Sequence, residues 1–362
     1  MDKPLDKASS RNDIDADLSA YEYDLPPELI AQHPMGQRDQ SRLLVLDRGT
    51  EEMWHERFRS LPKYLRRGDL LVLNDTRVMP VKLLGKTMTG GKIDVLLVRD
   101  IGEGRWESLV KCGRRLREGE VLDLEEGRIL GRYAGKSEDG MSIVAFDVDG
   151  EVGQALKTHG RMPLPPYIGR GVEDPFLEED RERYQTVFAR RPGAIAAPTA
   201  GLHFTDELLH ELKGMGVDIA YVTLHVGLGT FLPVKVDDIS KHEMHSEEYE
   251  VTEETAAAVC AARQRGGRVV AVGTTSCRTL ESMARNCGGK FQACGGSTNL
   301  FIRPPFEFMC TDVLITNLHL PRSTLLMLAS ALVGRETLLR AYEEAVRQRY
   351  RFYSYGDAML IM

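Results

Sequence analysis

Residues 196–231 read AAPTAGLHFTDELLHELKGMGVDIAYVTLHVGLGTF, and the periods inside this stretch decide the fold class. Thr205 has the character of an N-cap, and Asp206 and Glu207 follow it where carboxylates suit the helix dipole. Leu208, Leu209, Leu212 and Met215 recur at helical spacing, and Gly214 and Gly216 end the run. Residues 217–224 are apolar and partly β-branched, as in a strand buried on both faces. That strand runs into His225 and a glycine-rich turn containing Gly227, Gly229, Thr230 and Phe231. A helix followed by a buried strand belongs to an α/β layer, where ligands bind beyond the carboxyl ends of the strands. The loop before the helix carries Thr199, Gly201 and His203. His203 and His225 are therefore expected to face one crevice.

Working outward, residues 41–47 and 69–74 read as strands with a short helix over 61–67 between them. The character then changes. Strand-like runs at 81–86, 92–98, 106–111, 121–124, 129–133 and 143–148 are separated by glycine-rich turns with almost no helical signal. Six such runs predict a small β-barrel. After Glu151 helices and strands alternate to the end. The expected organisation is a discontinuous α/β domain, 19–75 and 157–362, with a β-barrel domain, 76–156, inserted into it. Residues 1–18 are rich in Asp, Lys and Ser, lack periodicity and read as a disordered tail.

The 362 residues are 42% hydrophobic and 28% charged, enough apolar content for two cores of a soluble globular protein. The net charge of −7 argues against a wholesale basic nucleic-acid binder and leaves only local patches for that role. The start, MDKPL, lacks the regions of a signal peptide, and the apolar helix at 325–333 is too short to span a bilayer. The six cysteines form no C-x-x-C pair. These features predict a cytoplasmic protein with reduced thiols and no membrane partner.

Five of the nine histidines, His203, His225, His242, His245 and His319, fall in Gly-, Pro- or Ser-rich loops. Any single one is more often a hydrogen-bonded structural imidazole, but five together favour a site. His242 and His245 stand three apart in a loop-like segment, a poor metal-ligand spacing, so no metal is expected. At 271–278, AVGTTSCR reads as strand, turn and helix. Backbone N–H groups at Gly273, Thr274 and Thr275 can bind an anion, while N-capping by Thr274, Thr275 or Ser276 is an equal alternative. Asn317 and His319 follow an apolar strand, and Pro321 and Ser323 prepare the next helix. Asn74, Asp75 and Arg77 close another strand, where an Asx-turn is the ordinary explanation for the Asp. RFYSYGDAM at 351–359 places Tyr353, Tyr355 and Asp357 near the end, as a base-stacking surface or as a tail anchor. Lys111, Arg114, Arg115 and Arg117 form the densest basic cluster, in a barrel turn suited to RNA.

These motifs together resemble the S-adenosylmethionine:tRNA ribosyltransferase-isomerase family of queuosine biosynthesis, QueA. The likeness runs over residues 23–361. It is carried by LNDTR at 73–77, RMPLPPYI at 161–168, residues 197–205 and 225–231, HEMHSE at 242–247, GTTSCRT at 273–279, residues 317–327 and residues 350–361. Cys277 and Leu318 stand where the family commonly has Val and Phe, and RPPF at 303–306 replaces a Pro-Gly-aromatic turn; none of these removes a polar motif residue. The resemblance implies an α/β domain with an inserted barrel. It implies transfer and isomerisation of the ribosyl part of S-adenosylmethionine onto 7-aminomethyl-7-deazaguanine at the wobble position of tRNA. The product is epoxyqueuosine, and adenine and methionine leave. S-adenosylmethionine is then a consumed substrate, no cofactor is needed, and a monomer is expected.

That chemistry needs a base near the ribose carbon acidified by the sulfonium and a donor for departing adenine. His203, His225, His245 and His319 are candidates for either role. Glu247 and Asp75 can orient an imidazole or bind ribose hydroxyls. Arg278 and the 273–276 turn can hold the methionine carboxylate or an RNA phosphate. Two other classes compete: a metal-dependent hydrolase using His225, His242 and His245, and a non-catalytic RNA-binding module built on the barrel.

Overall fold

The computed structural model describes residues 14–146, 152–171, 174–227, 229 and 234–362, so Thr230 and Phe231 lie outside the described residues. The chain forms two compact units, one of residues 1–77, 186–191 and 197–362, the other of residues 78–185 and 192–196.

The first unit is built on a nine-stranded sheet in the order Cys294–Thr298, Glu247–Val251, Asp218–Leu224, Leu70–Asn74, Val269–Val272, Val313–Asn317, Ala358–Ile361, Arg42–Leu46, Met53–Arg57. The four central strands, from Asp218–Leu224 to Val313–Asn317, are parallel. Leu70–Asn74, Val269–Val272 and Val313–Asn317 are buried at every position, as their unbroken apolar runs require. The helix Asp206–Gly214 starts at the Thr205 cap, whose hydroxyl accepts from Leu208 N at 3.2 Å. Its Leu208, Leu209 and Leu212 join Phe58, Leu61, Leu73 and Val270 in one core.

The helix Gly273–Asn286 is buried along most of its length. Its fully buried Glu281 is satisfied by three backbone N–H groups, from Met309, Cys310 and Thr311, at 2.8–3.1 Å. The expected 61–67 helix is a 3-10 turn, Phe58–Lys63, that ends once Pro62 has entered. The strand Glu247–Val251 begins at the end of the loop-like segment that holds His242 and His245, and Cys294–Thr298 is a strand where the sequence predicts no element. Their polar and glycine-rich residues suit the sheet's outer strands, which need no apolar face on both sides. At the amino end, residues 14–18 are not free. Leu18 is buried, its N–H bonds Asp237 O at 2.8 Å, and Asp15 pairs with Arg335 at 2.7 Å.

The second unit holds a closed antiparallel barrel of Ser142–Phe146, Arg105–Cys112, Lys92–Asp100, Lys82–Thr87, Val121–Leu124 and Ile129–Lys136. Alternation sends Leu83, Val95, Leu97, Leu122, Leu124 and Val144 inward, each with no exposed surface. Gly85 is required for closure: a Cβ there would lie 2.1 Å from Asp123 O on the neighbouring strand. The unit continues past 156, through the helices Val152–His159 and Leu177–Arg183, to Gln185. Composition does not show this, because the closing bonds are long-range: Arg161 N to Lys82 O at 2.8 Å and Lys82 N to Arg161 O at 3.1 Å.

Candidate active site

The four parallel strands end on one side of the sheet, at Leu224, Asn74, Val272 and Asn317. Glu247 opens an antiparallel strand whose Tyr249 pairs with Leu224, so it lies at that same side. A cavity of about 300 Å³ in this unit is lined by Gly229, His242, His245, Glu247, Arg278 and Phe301, with Leu300, Ile302, Leu325 and Leu328 as apolar wall.

At its base, Arg278 Nη1 donates to Glu247 Oε2, with the guanidinium and the carboxylate both buried. Arg278 Nε donates to Leu300 O at 3.2 Å, and Glu247 Oε1 accepts from Gly227 N at 2.9 Å. Arg278 Nη2 is buried with no hydrogen-bond partner among the described residues. A buried guanidinium N–H without a partner is a donor whose acceptor the described residues do not supply. His242 packs edge-on against Phe301, with centroids 5.3 Å apart. Burial, and then His245 beside it, lowers the His242 pKa. The chain at Gly229 lies directly on His245, because a Cβ there would come 2.8 Å from His245 Cβ and 2.9 Å from Cδ2.

The helix Gly273–Asn286 enters this side of the sheet with no side-chain cap. Capping by Thr274, Thr275 or Ser276, the alternative to anion binding, does not occur; Gly273 turns at φ +87° and Val272 stands at the cap. Thr275 Oγ1 and Ser276 Oγ are left buried without partners among the described residues.

The other candidates form separate clusters and do not line this cavity. His203 is buried against Phe58, 5.1 Å between centroids. Its Nδ1 meets Ser41 Oγ at 2.8 Å, and its Nε2 meets Asn317 Nδ2 at 3.3 Å. Asn317 can only donate there, so Nε2 accepts and Nδ1 carries the proton. Burial, then the charges of Arg351 and Arg38, lower its pKa to about 3. Asn317 Nδ2 also donates to Tyr353 O at 3.0 Å. His319 bonds Thr316 Oγ1 at 2.7 Å through Nε2, and burial lowers its pKa to about 3. His225 is half-buried, and its Nδ1 meets Thr76 Oγ1 at 2.8 Å. Burial lowers its pKa while Asp75 opposes the shift. The single crevice expected to be shared by His203 and His225 is not formed by their rings, each of which bonds within its own cluster.

Several motif residues build the frame. The Asn74 side chain ties two strand ends, bonding Leu224 O at 3.0 Å, Leu224 N at 3.1 Å and Thr76 N at 3.1 Å. Asp75 accepts from Thr223 Oγ1 at 2.7 Å, and Arg77 is exposed. Gly201, in the 3-10 turn Thr199–His203, has no room for a side chain: a Cβ would lie 2.8 Å from Phe188 Cζ. Asp357 accepts from Arg42 N at 2.9 Å and Arg351 N at 2.8 Å. Tyr353 takes a left-handed φ of +76°, and Tyr355 is buried. In the barrel turn, Arg114 is bound by Glu120, while Lys111, Arg115 and Arg117 are exposed. Phe301 and Leu300 carry no local signal in the sequence; only the fold brings 299–302 to the cavity. No group of three or more His, Cys, Asp or Glu side chains placed to hold a metal ion occurs among the described residues. No described helix is long and apolar enough to cross a membrane.

The family described as queuosine biosynthesis protein matches residues 18–361. A relative from Symbiobacterium thermophilum, named S-adenosylmethionine:tRNA ribosyltransferase-isomerase, is 52% identical over 346 residues, 95% of this chain and 99% of its own length. The crystal structure of S-adenosylmethionine tRNA ribosyltransferase from Thermotoga maritima is 39% identical, with a TM-score of 0.54, over 95% of this chain and 100% of that one. A match across nearly the whole chain on both counts means that the chain belongs to the queuosine biosynthesis protein family.

Proposed function

We infer that the protein is an S-adenosylmethionine:tRNA ribosyltransferase-isomerase of queuosine biosynthesis. It moves the ribosyl part of S-adenosylmethionine onto the aminomethyl group of 7-aminomethyl-7-deazaguanine at the tRNA wobble position, yielding epoxyqueuosine, adenine and methionine. The observation that carries this reading is the 52% identity, end to end, with a relative of that name. The cavity chemistry supports it. Arg278 Nη2 is a buried free donor suited to the methionine carboxylate. Glu247 holds the guanidinium in place, and Phe301, with His242 set edge-on against it, gives the cavity an aromatic wall for a purine. His245 is exposed to the cavity and is the best placed group there for proton transfer, either from the ribose carbon beside the sulfonium or to departing adenine. His203 and His319, buried and neutral, act in this reading as positioning groups for the strand ends. S-adenosylmethionine is consumed and no metal takes part. The protein works in the cytoplasm as a monomer, with the exposed Lys111, Arg115 and Arg117 touching RNA phosphates.

The test is incubation with S-adenosylmethionine and tRNA carrying 7-aminomethyl-7-deazaguanine. Adenine and methionine should appear together with modified tRNA, and chelators should leave the rate unchanged. Folded protein that releases no adenine would overturn the reading. Activity lost on chelation and restored by zinc would favour the hydrolase instead.

A further inference from the structure

We propose that a second, open cavity, lined wholly by the barrel unit, binds one unpaired nucleotide of the RNA chain, with its base against Pro165 and Pro166 and its phosphate at Lys111. The proposal rests on tRNA being the substrate. The cavity measures about 370 Å³, in the size range of ligand sites, and all of its lining residues belong to the barrel unit.

Two ion pairs to buried carboxylates hold its walls. Arg161 Nε lies 3.0 Å from each oxygen of buried Glu125, and Arg170 grips buried Asp180 through Nε at 2.7 Å and Nη2 at 3.2 Å. Fork-shaped pairs to buried carboxylates hold both guanidinium planes still, and a fixed guanidinium plane is itself a stacking surface. Met162, Pro165 and Ile168 are buried and supply the apolar floor. This is the surface that the face of a base requires.

The charges leave the mouth cationic. Glu125 and Asp180 are occupied by the two arginines, and Lys82 is paired with Asp94 at 3.4 Å. Arg181 donates to Lys157 O at 2.9 Å and pairs at 3.6 Å with Glu178, the exposed carboxylate of the lining. Lys111 is exposed and has no ion-pair partner among the described residues, and Arg128 is only 3.8 Å from the exposed Glu126. Lys111 is the penultimate residue of the strand Arg105–Cys112, and the turn that follows carries the exposed Arg115 and Arg117, with Arg114 held by Glu120. The cationic surface thus continues beyond the cavity. A chain of phosphates uses that continuation; a free nucleotide does not.

Two variants of the full chain test this. Gly169 lines the cavity and an added Cβ there would meet nothing within 4 Å, so Gly169→Trp is the substitution that places bulk at its wall from an unobstructed position. Lys111→Glu reverses the mouth charge. tRNA affinity is measured against salt for wild type and both variants, with a single-stranded pentanucleotide, a short RNA duplex and adenosine monophosphate as competitors. S-adenosylmethionine affinity and melting temperature are measured in parallel. Both variants should keep wild-type S-adenosylmethionine affinity and melting temperature. Lys111→Glu should lower the magnitude of the salt slope by about one. Gly169→Trp should weaken tRNA about tenfold or more, as loss of a stacked base costs about 1–3 kcal/mol. The pentanucleotide should compete for wild type, and the duplex should not. A folded Gly169→Trp with wild-type tRNA affinity overturns the proposal. So does adenosine monophosphate competing as well as the pentanucleotide, since the site would then suit a free nucleotide. Wild-type protein that binds tRNA in this manner yet releases no adenine would leave the cavity standing and sink the enzyme reading alone.

Discussion

His203 and His319 are each held neutral by burial, with pKa values lowered to about 3 from an ordinary 6.5. An unfolded chain takes up these two protons as pH falls through about 6.5, and the folded chain does not. Stability contributed by the neutral rings is therefore complete above about pH 6.5 and declines progressively as the pH drops towards 3. Melting temperature should fall between pH 7 and 5, and His319→Gln should flatten that dependence; a curve equally steep in the variant would show that other groups set it. His203→Ala removes the partner of Ser41 Oγ and of Asn317 Nδ2, and should cost about 1–3 kcal/mol in a urea titration. At Arg278 the logic is electrostatic. Arg278→Ala strands the buried Glu247 carboxylate and should cost about 3–5 kcal/mol. Arg278→Lys keeps the charge but loses the fork, so a folded variant with KM for S-adenosylmethionine raised about tenfold or more is expected. An unchanged KM would remove Arg278 from substrate binding.

Among the elements, the helix Asp206–Gly214 and the turn at Gly229 show two kinds of constraint. The helix is locally encoded: Thr205→Ala deletes the hydroxyl that accepts from Leu208 N and should cost about 1 kcal/mol, with turnover per folded molecule unaltered. The turn is constrained by what lies across from it. Gly229→Ala drives a methyl group into His245, so turnover should fall about 10²-fold while the melting temperature barely moves. A fully active Gly229→Ala protein would separate His245 from the chemistry. The outer strands Glu247–Val251 and Cys294–Thr298 were hidden in the sequence by EEYEV and CGGST, which carry no two-faced apolar run. The barrel strands were legible because alternation over Ile129–Lys136 is itself the pattern of a sheet with one buried face.

For the whole molecule, a net charge of −7 opposes RNA, so binding must depend on local cations and on salt. Arg114 is already bound by Glu120, which leaves Arg115 and Arg117 open. Replacing all three by Ala should therefore reduce the magnitude of the salt slope of tRNA binding by about two rather than three. S-adenosylmethionine affinity should not change. An unaltered slope would make this turn a merely solvated face.

The sequence by itself determined what depends on neighbours a few residues away. Helix caps at Thr205 and Ser323, the six barrel strands, the buried parallel strands and the polar groups at their ends all follow from spacing of two to four residues. Only the tertiary structure decided which polar groups meet. Glu247 and Arg278 are 31 residues apart, and His203 and Asn317 are 114 apart. It also carried the barrel unit on to Gln185 and set Phe301 against His242. Periodicity records whether a side chain faces the interior. It carries no record of what stands opposite, because that depends on strand order and loop path, which are settled only when the whole sheet closes over its core.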